Sequence, residues 1–501
     1  MSDELPPRGS DNRFPAPVYA ETVLAVNFED ARRYFLDALV ELNAAHTLML
    51  ERVGLLTVCE ADACLGALAG LDRLKIGQAR YDGRFEDLFF YLQNELERAA
   101  GPEASGKMHT ARSRNDVDLA LYRMCLRQEL AALIEAVHAA RNVLLDQAAR
   151  HLKSLMPAYT HTQPAQPTTV AHYLMAAADF AGRDLERLKA AFAVVNRSPL
   201  GACAITTTGF PIDRAMTAEL LGFEGLVENS YDAIAGIDYL SGAAGALAAA
   251  MVNLGRLVQD LLLWCTEEYG FLRLPGGYVQ TSSIMPQKRN PVALEHTRIL
   301  ASKTLGQAQA IFTAVHNTPF GDIDDNEDDL QPLVFSTFRD GIRAWKLFGA
   351  VLAAGEINRE RLRRRAACGL MTVTELADTL VRREGISFPA AHQLVARAVE
   401  ATGEERTPQR LVAELKRLVA ERTGPPFQST EKEWLEALDP EYFVRVRQVP
   451  GGPAPAEVGR QIERARQENQ AVLAWLEEKL GLLSRYRERL RQAMQRGTAR
   501  R

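Results

Sequence analysis

Apolar residues recur along this chain in steps of three and four. From Asp116 onward, Leu119, Tyr122, Leu126, Leu130, Leu133, Val137, Ala140, Leu144 and Ala148 fall on one face, the period of a long amphipathic helix. The same pattern predicts long helices over Thr168–Val195, about Ile234–Glu268, about Pro291–Val315 and Leu330–Leu352. The helix from Ile234 carries Gly242, Ala243, Ala244, Gly245 and Ala246 in a row. Small residues permit close helix–helix approach, which places it in the middle of a bundle. Strand signals are confined to short β-like runs at Ala204–Thr208 and Gly277–Gln280. No β-α-β rhythm and no glycine-rich phosphate loop is present, so a nucleotide-binding α/β fold is a poor reading. The fold class read from the pattern is all-α.

Breaks in the pattern divide the chain. Residues 1–112 read as an N-terminal helical domain opening with a proline-rich loose arm over 1–18. Residues 113–360 hold the long helices. After the basic cluster Arg359–Arg365 the helices shorten, with breakers at Gly403, Gly424-Pro425-Pro426 and Pro450–Pro453. Residues 361–501 therefore read as a smaller C-terminal helical domain.

Composition narrows the function classes. Lys and Arg number 59 against 64 Asp and Glu, a formal net charge of −5 over 501 residues. This balance argues against nucleic acid or anionic lipid as a partner of the whole surface. The most apolar stretch, Tyr239–Leu254, is interrupted by Ser241, two glycines and Asn253, and suits a buried core helix better than a membrane span. The polar, acidic N-terminus does not read as a secretory signal. Six scattered cysteines, with no C-x-x-C pair and no zinc spacing, read as reduced, buried thiols in a cytoplasmic protein without a metal.

Three segments interrupt the helical logic. Gly106–Asp116 packs Ser113, Arg114, Asn115 and Asp116 at a helix start. Asn115 or Asp116 serves there as a simple N-cap, or the helix N-terminus with Arg114 and the Asn115 amide forms a carboxylate site. Met156–Pro167 carries three prolines that fix an extended loop presenting Thr160, His161 and Gln163. Leu274–Pro291 is a long Gly/Ser/Pro loop between two long helices, a rare arrangement without a function. It offers a hydroxyl, an ammonium and an amide, and its apolar Ile284-Met285 is not what a plain surface loop needs.

The run Ser282-Ser283-Ile284-Met285-Pro286-Gln287-Lys288-Arg289-Asn290-Pro291 resembles the signature loop G-S-S-x-M-P-x-K-x-N-P of the aspartase/fumarase superfamily. Gly106–Asp116 is similar to the G-K-x-H-T-G-R-S-R-N-D of its argininosuccinate lyase branch, and Tyr159–Pro167 to that branch's Y-T-H-L-Q-R-A-Q-P. The resemblance continues through Phe210–Arg214, Glu228–Ser230, Leu376–Asp378 and Val449–Pro455, nearly the whole chain. It implies three mostly helical domains whose long central helices associate into a homotetrameric bundle, with each active site drawn from three subunits. The implied chemistry is the reversible anti elimination of fumarate from a succinyl group carried on nitrogen, without metal or organic cofactor. The implied partners are a small N-substituted aspartate, fumarate and further copies of the same chain. By resemblance Ser282 is the general base. Lys288 and Asn290 hold the succinyl carboxylates, assisted by Ser113, Arg114, Asn115 and Thr160, with Gln163 also at the substrate. His161 is the acid for the leaving nitrogen or an orienting group, and Glu295 is its carboxylate partner.

The chain departs from the family pattern where the amine would lie. Thr281 replaces the glycine before the serines, Pro164 the arginine of Q-R-A-Q-P, and Val117 the glutamine after S-R-N-D. Phe89 stands where the branch usually has histidine. In His316–Pro332, Phe320 and Gly321 fall near the family's tyrosine, and no lysine follows Asp328-Asp329. The acidic run from Asp322 to Asp329 reads either as a solvated loop or as part of a site. The succinyl half thus matches the family and the amine half is altered, which favours an N-substituted aspartate or aminopolycarboxylate other than argininosuccinate.

Overall fold

The computed structural model describes residues 14–321, 329–404, 407–423 and 428–499. The first 13 residues of the expected arm, the acidic residues Asp322, Asp324, Asp325, Glu327 and Asp328, and the Gly424-Pro425-Pro426 break lie outside the described residues.

Five long helices form the centre: α1 (Arg114–Arg150), α2 (Val170–Val195), α3 (Asp238–Trp264), α4 (Val292–Val315) and α5 (Gln331–Ala354). They close a ring, α1 packing on α2 and α5, α3 on α2 and α4, and α4 on α5. The all-α reading holds, and the expected helices lie within a few residues of their predicted limits. No glycine or proline interrupts the 37 residues of α1, so at 1.5 Å per residue it runs about 55 Å. The Ala/Gly-rich α3 is long and apolar enough to cross a membrane by length and composition. It is a bundle helix here, burying Tyr239, Ala243, Leu247, Met251, Leu254 and Leu261.

The length of α1 separates two ends of the bundle. At the proximal end, where α1 begins, Asp116 is bound by the loop after α2. At the distal end, Gln147 donates to the Leu352 carbonyl at 3.1 Å, and Leu272–Arg273 pairs with Glu356–Ile357. A sixth long helix, α6 (Pro455–Ala499), packs on α1, α2 and the N-terminal helix Val58–Ala69. Gly497 lets it approach that helix: a Cβ there would meet Gly66 N at 2.5 Å.

The C-terminal region differs from the expected single unit over 361–501. Leu376, Leu380, Leu394, Leu411, Leu415 and Trp434 share a separate core. The apolar face of α6, including Val458, Ile462 and Leu476, joins the large core of the bundle instead. We propose a small unit ending near Gly452, with α6 returning to the first two domains, and keep the division near residue 112.

The strands also differ from expectation. Ala204–Thr208 forms turns rather than a strand, and Gly276–Tyr278 is one 3-10 turn ahead of the two-residue strand Gln280–Thr281. The proline-rich segment read as an extended loop is an antiparallel hairpin, β1 (Leu155–Thr160) with β2 (Gln163–Thr169). Its prolines mask the usual strand signal, and a two-stranded ribbon tolerates them because each strand has a free edge. All six cysteines are free; Cys64, Cys125 and Cys203 are buried, whereas Cys59 and Cys368 are exposed, contrary to the reading of buried thiols.

Candidate active site

The first motif sits at the proximal end. The N-cap of α1 is Ser113, neither Asn115 nor Asp116. Asp116 is instead fully buried and ties three backbone donors together. Its Oδ1 accepts from the Ser113 N–H at 2.9 Å, and its Oδ2 from Gly201 and Cys203 N–H at 2.8 and 2.9 Å. Burial pushes its carboxyl up to about 6, against the pull of these donors. The Asn115 amide donates to the Ala204 carbonyl at 3.0 Å. Arg114 donates through Nε to Asp118 at 3.0 Å and through Nη1 to Asp87, so its guanidinium is fixed from two sides.

Phe89 supports the same region. It is 7% exposed, and the guanidinium carbons of Arg112 and Arg114 lie 5.5 and 5.3 Å from its ring centroid. Such cation–π contacts are worth about 0.5–2 kcal/mol each. The His109 ring stands 5.5 Å away. Sequence reasoning noted Phe89 as a departure but missed its role as the surface beneath two arginines. It also missed Asp87 and Asp118; the four-residue spacing of Arg114 and Asp118 on a helix was the available signal.

The second motif forms the tip of the β1–β2 hairpin at the distal end. His161 and Thr162 occupy the two turn positions with φ of 51° and 62°, the left-handed pair a tight two-residue hairpin demands. Thr160, His161, Thr162 and Gln163 are exposed. The hairpin thus holds His161 out from the body on a short, defined turn.

The third motif also lies at the distal end, between α3 and α4. Gln280 pairs with Asn290 and Thr281 with Arg289, which clamps the base of the loop. Ser282 Oγ accepts hydrogen bonds from the backbone N–H of Ile284 at 3.2 Å and of Met285 at 3.0 Å. Two fixed donors on one hydroxyl oxygen favour its negatively charged form. Lys288 is held in a turn by its N–H to the Met285 carbonyl at 3.0 Å, and its side chain is exposed. Ile284 and Met285 are 85% and 43% exposed. Glu295, half-buried, sits in the first turn of α4.

Ser282, Lys288 and Asn290 are therefore brought onto one loop. Ser113, Arg114 and Asn115 start a helix that ends about 55 Å away, on the side where the hairpin follows. Within one chain no hydrogen bond joins His161 to Glu295 among the described residues.

The chain matches the family model described as lyase over residues 91–306 and that described as argininosuccinate lyase C-terminal over 370–445. It is 40% identical to argininosuccinate lyase 2 of Agrobacterium fabrum, covering 91% of each chain. With argininosuccinate lyase of Methanococcoides burtonii it shares 38% identity over 86% of each. Among solved structures it is similar to a variant of EDDS lyase with bound fumarate, with TM-score 0.85 and 33% identity over 97% of this chain and 96% of that one. A fumarate lyase from Mesorhizobium, at 19% identity and TM-score 0.69, shares the fold. The ring of long helices and the signature loop thus define a lyase of the aspartase/fumarase superfamily. Within it, the chain belongs to the argininosuccinate lyase family of carbon–nitrogen lyases.

Proposed function

We propose that this protein eliminates fumarate from an N-substituted L-aspartate in the cytoplasm. The reading rests above all on Ser282, whose Oγ receives two backbone N–H groups on a clamped loop that also carries Lys288 and Asn290. The proton to be removed lies on the carbon beside the side-chain carboxylate and is weakly acidic. Its loss to Ser282 places a second negative charge on that carboxylate. Lys288 and Asn290, with Ser113, Arg114, Asn115 and Thr160, meet the charge as it develops; one such fixed donor is worth about 3 kcal/mol. The carbon–nitrogen bond then breaks, its electron pair leaves with nitrogen, and His161, partnered by Glu295, supplies the nitrogen with a proton. Gln163 completes the substrate contacts.

The two-ended layout supports a site assembled between chains. The first motif belongs to one end of the bundle and the hairpin and loop to the other, so a complete set requires several copies, which we propose form a homotetramer. Exposed apolar side chains on the bundle, Val252, Ile299 and Phe312, favour such association.

For the amine half, the aromatic character at Phe89 and Phe320 favours a substrate other than argininosuccinate. The Phe320 ring stacks on Tyr231 at 5.4 Å near Gly321. The names of the curated relatives favour argininosuccinate itself as the second reading. Ser282→Ala tests the mechanism: kcat should fall about 10³-fold or more with a modest change in KM. Near-wild-type turnover in the folded variant would remove Ser282 as the base and make Ser283 the next suspect.

A further inference from the structure

The basic cluster after the bundle has no part in the elimination just described. Arg361, Arg364 and Arg365 lie on the helix Arg359–Ala366 and face the histidine hairpin across a cavity of about 590 Å³. Thr162 and Gln163 form the hairpin wall, and Tyr269 and Phe271 form another. Glu268 is the carboxylate among the lining residues, so three positive charges face one negative charge.

The arginines are held without being neutralised. Arg361 donates to the carbonyls of Glu267 and Glu268 at 2.6 and 2.9 Å. Gly270, at φ +55°, leaves room for it, since a Cβ there would meet its guanidinium at 2.9 Å. Arg365 lies beside Tyr159 of the hairpin, whose phenol burial pushes up and the Arg365 charge pulls back, and it makes no ion pair among the described residues. Arg364 approaches Glu360 only to 3.9 Å, with both side chains mostly exposed, where a pair contributes little. Carbonyl partners and a neighbouring phenol carry no formal negative charge and so leave the guanidinium charge in place, and a planar guanidinium is suited to two-point contact with an oxyanion.

We propose that this cavity binds an oxyanion, a phosphate or carboxylate group, on Arg364 and Arg365 against the Thr162–Gln163 wall. Its volume is in the range of small-molecule sites. It leaves space beside the anion for an organic body against Tyr269 and Phe271, whose rings stand 5.3 Å apart edge to face. The occupant would rest on the hairpin that carries His161.

Calorimetric titration of the full-length protein with inorganic phosphate, and separately with benzoate, a monocarboxylate that is no analogue of fumarate, tests the proposal. Saturable binding of at least one anion is expected, weakening as salt is raised. The preferred anion distinguishes a phosphorylated ligand from a carboxylate one. Arg364→Gln should weaken binding about tenfold or more, Arg364→Lys should retain most of it, and Arg364→Gln with Arg365→Gln should abolish it. Cys368, exposed and on the same cavity wall, gives a second readout: the bound anion should slow its alkylation in wild type and not in the double variant. Absence of saturable binding by both anions, or equal affinity in wild type and a folded double variant, would overturn the site.

Discussion

At the residue scale, the first motif is held by groups that must stay in one protonation state. His46 is buried beneath it, and its Nε2–H donates to the Thr110 carbonyl at 2.9 Å. Its Nδ1 has no hydrogen-bond partner among the described residues. Burial, and next the Arg112 charge, push the imidazole down to about 3 from 6.5. The unfolded chain therefore takes up a proton below about pH 6.5 that the folded one refuses. Stability present at neutral pH declines as pH falls through this window, by about 2 kcal/mol at pH 5 from this group alone. The apparent melting temperature should thus fall between pH 7 and 5, and fall less in His46→Gln; equal slopes in the two proteins would refute the assignment. Ser282, Lys288 and Asn290 were legible from their order in one loop. The burial of Asp116 was not, because its partners Gly201 and Cys203 are distant in sequence and offer only backbone N–H groups.

At the scale of elements, the start of α1 and the hairpin tip position the candidate groups. Asp116→Ala would leave three buried or half-buried N–H groups without their acceptor, at about 1–3 kcal/mol for each fully buried donor. Activity should fall with the first motif's order, while Asp116→Asn, which keeps one acceptor oxygen, should retain more; unchanged kinetics and stability in the alanine variant would contradict this anchoring. Thr162 is a β-branched residue at φ 62°, where a side chain costs about 1–2 kcal/mol. Thr162→Gly should therefore slow amide exchange of the hairpin Leu155–Thr169 by about five- to thirtyfold, and faster exchange would show that the turn carries no such strain. The long helices were legible because a period of 3.6 persists over many turns. The hairpin was hidden by three prolines that suppress the alternation typical of strands. The return of α6 to the bundle was hidden for another reason: which core receives an amphipathic face is decided by packing, and its own sequence does not record the partner.

At the scale of the whole molecule, the 55 Å length of α1 decides how a site can be built. If chains exchange motifs, mixing denatured His161→Ala and Ser282→Ala subunits and refolding them together should restore some sites with both residues present. Mixed oligomers with no recovered activity would refute shared sites. The substrate departures predict kcat/KM for at least one other N-substituted aspartate equal to or above that for argininosuccinate. Losing two charge-assisted contacts to the amine half would cost argininosuccinate a factor of about 10²–10⁴. The central claim is the release of fumarate from a carbon–nitrogen bond. Ultraviolet absorbance of fumarate, followed on purified protein across argininosuccinate and alkylamino-, arylamino- and diamine-substituted aspartates, measures it directly. The account predicts fumarate from at least one of these, dependent on Ser282. No fumarate from any member of the panel, with folded wild-type protein, would contradict it.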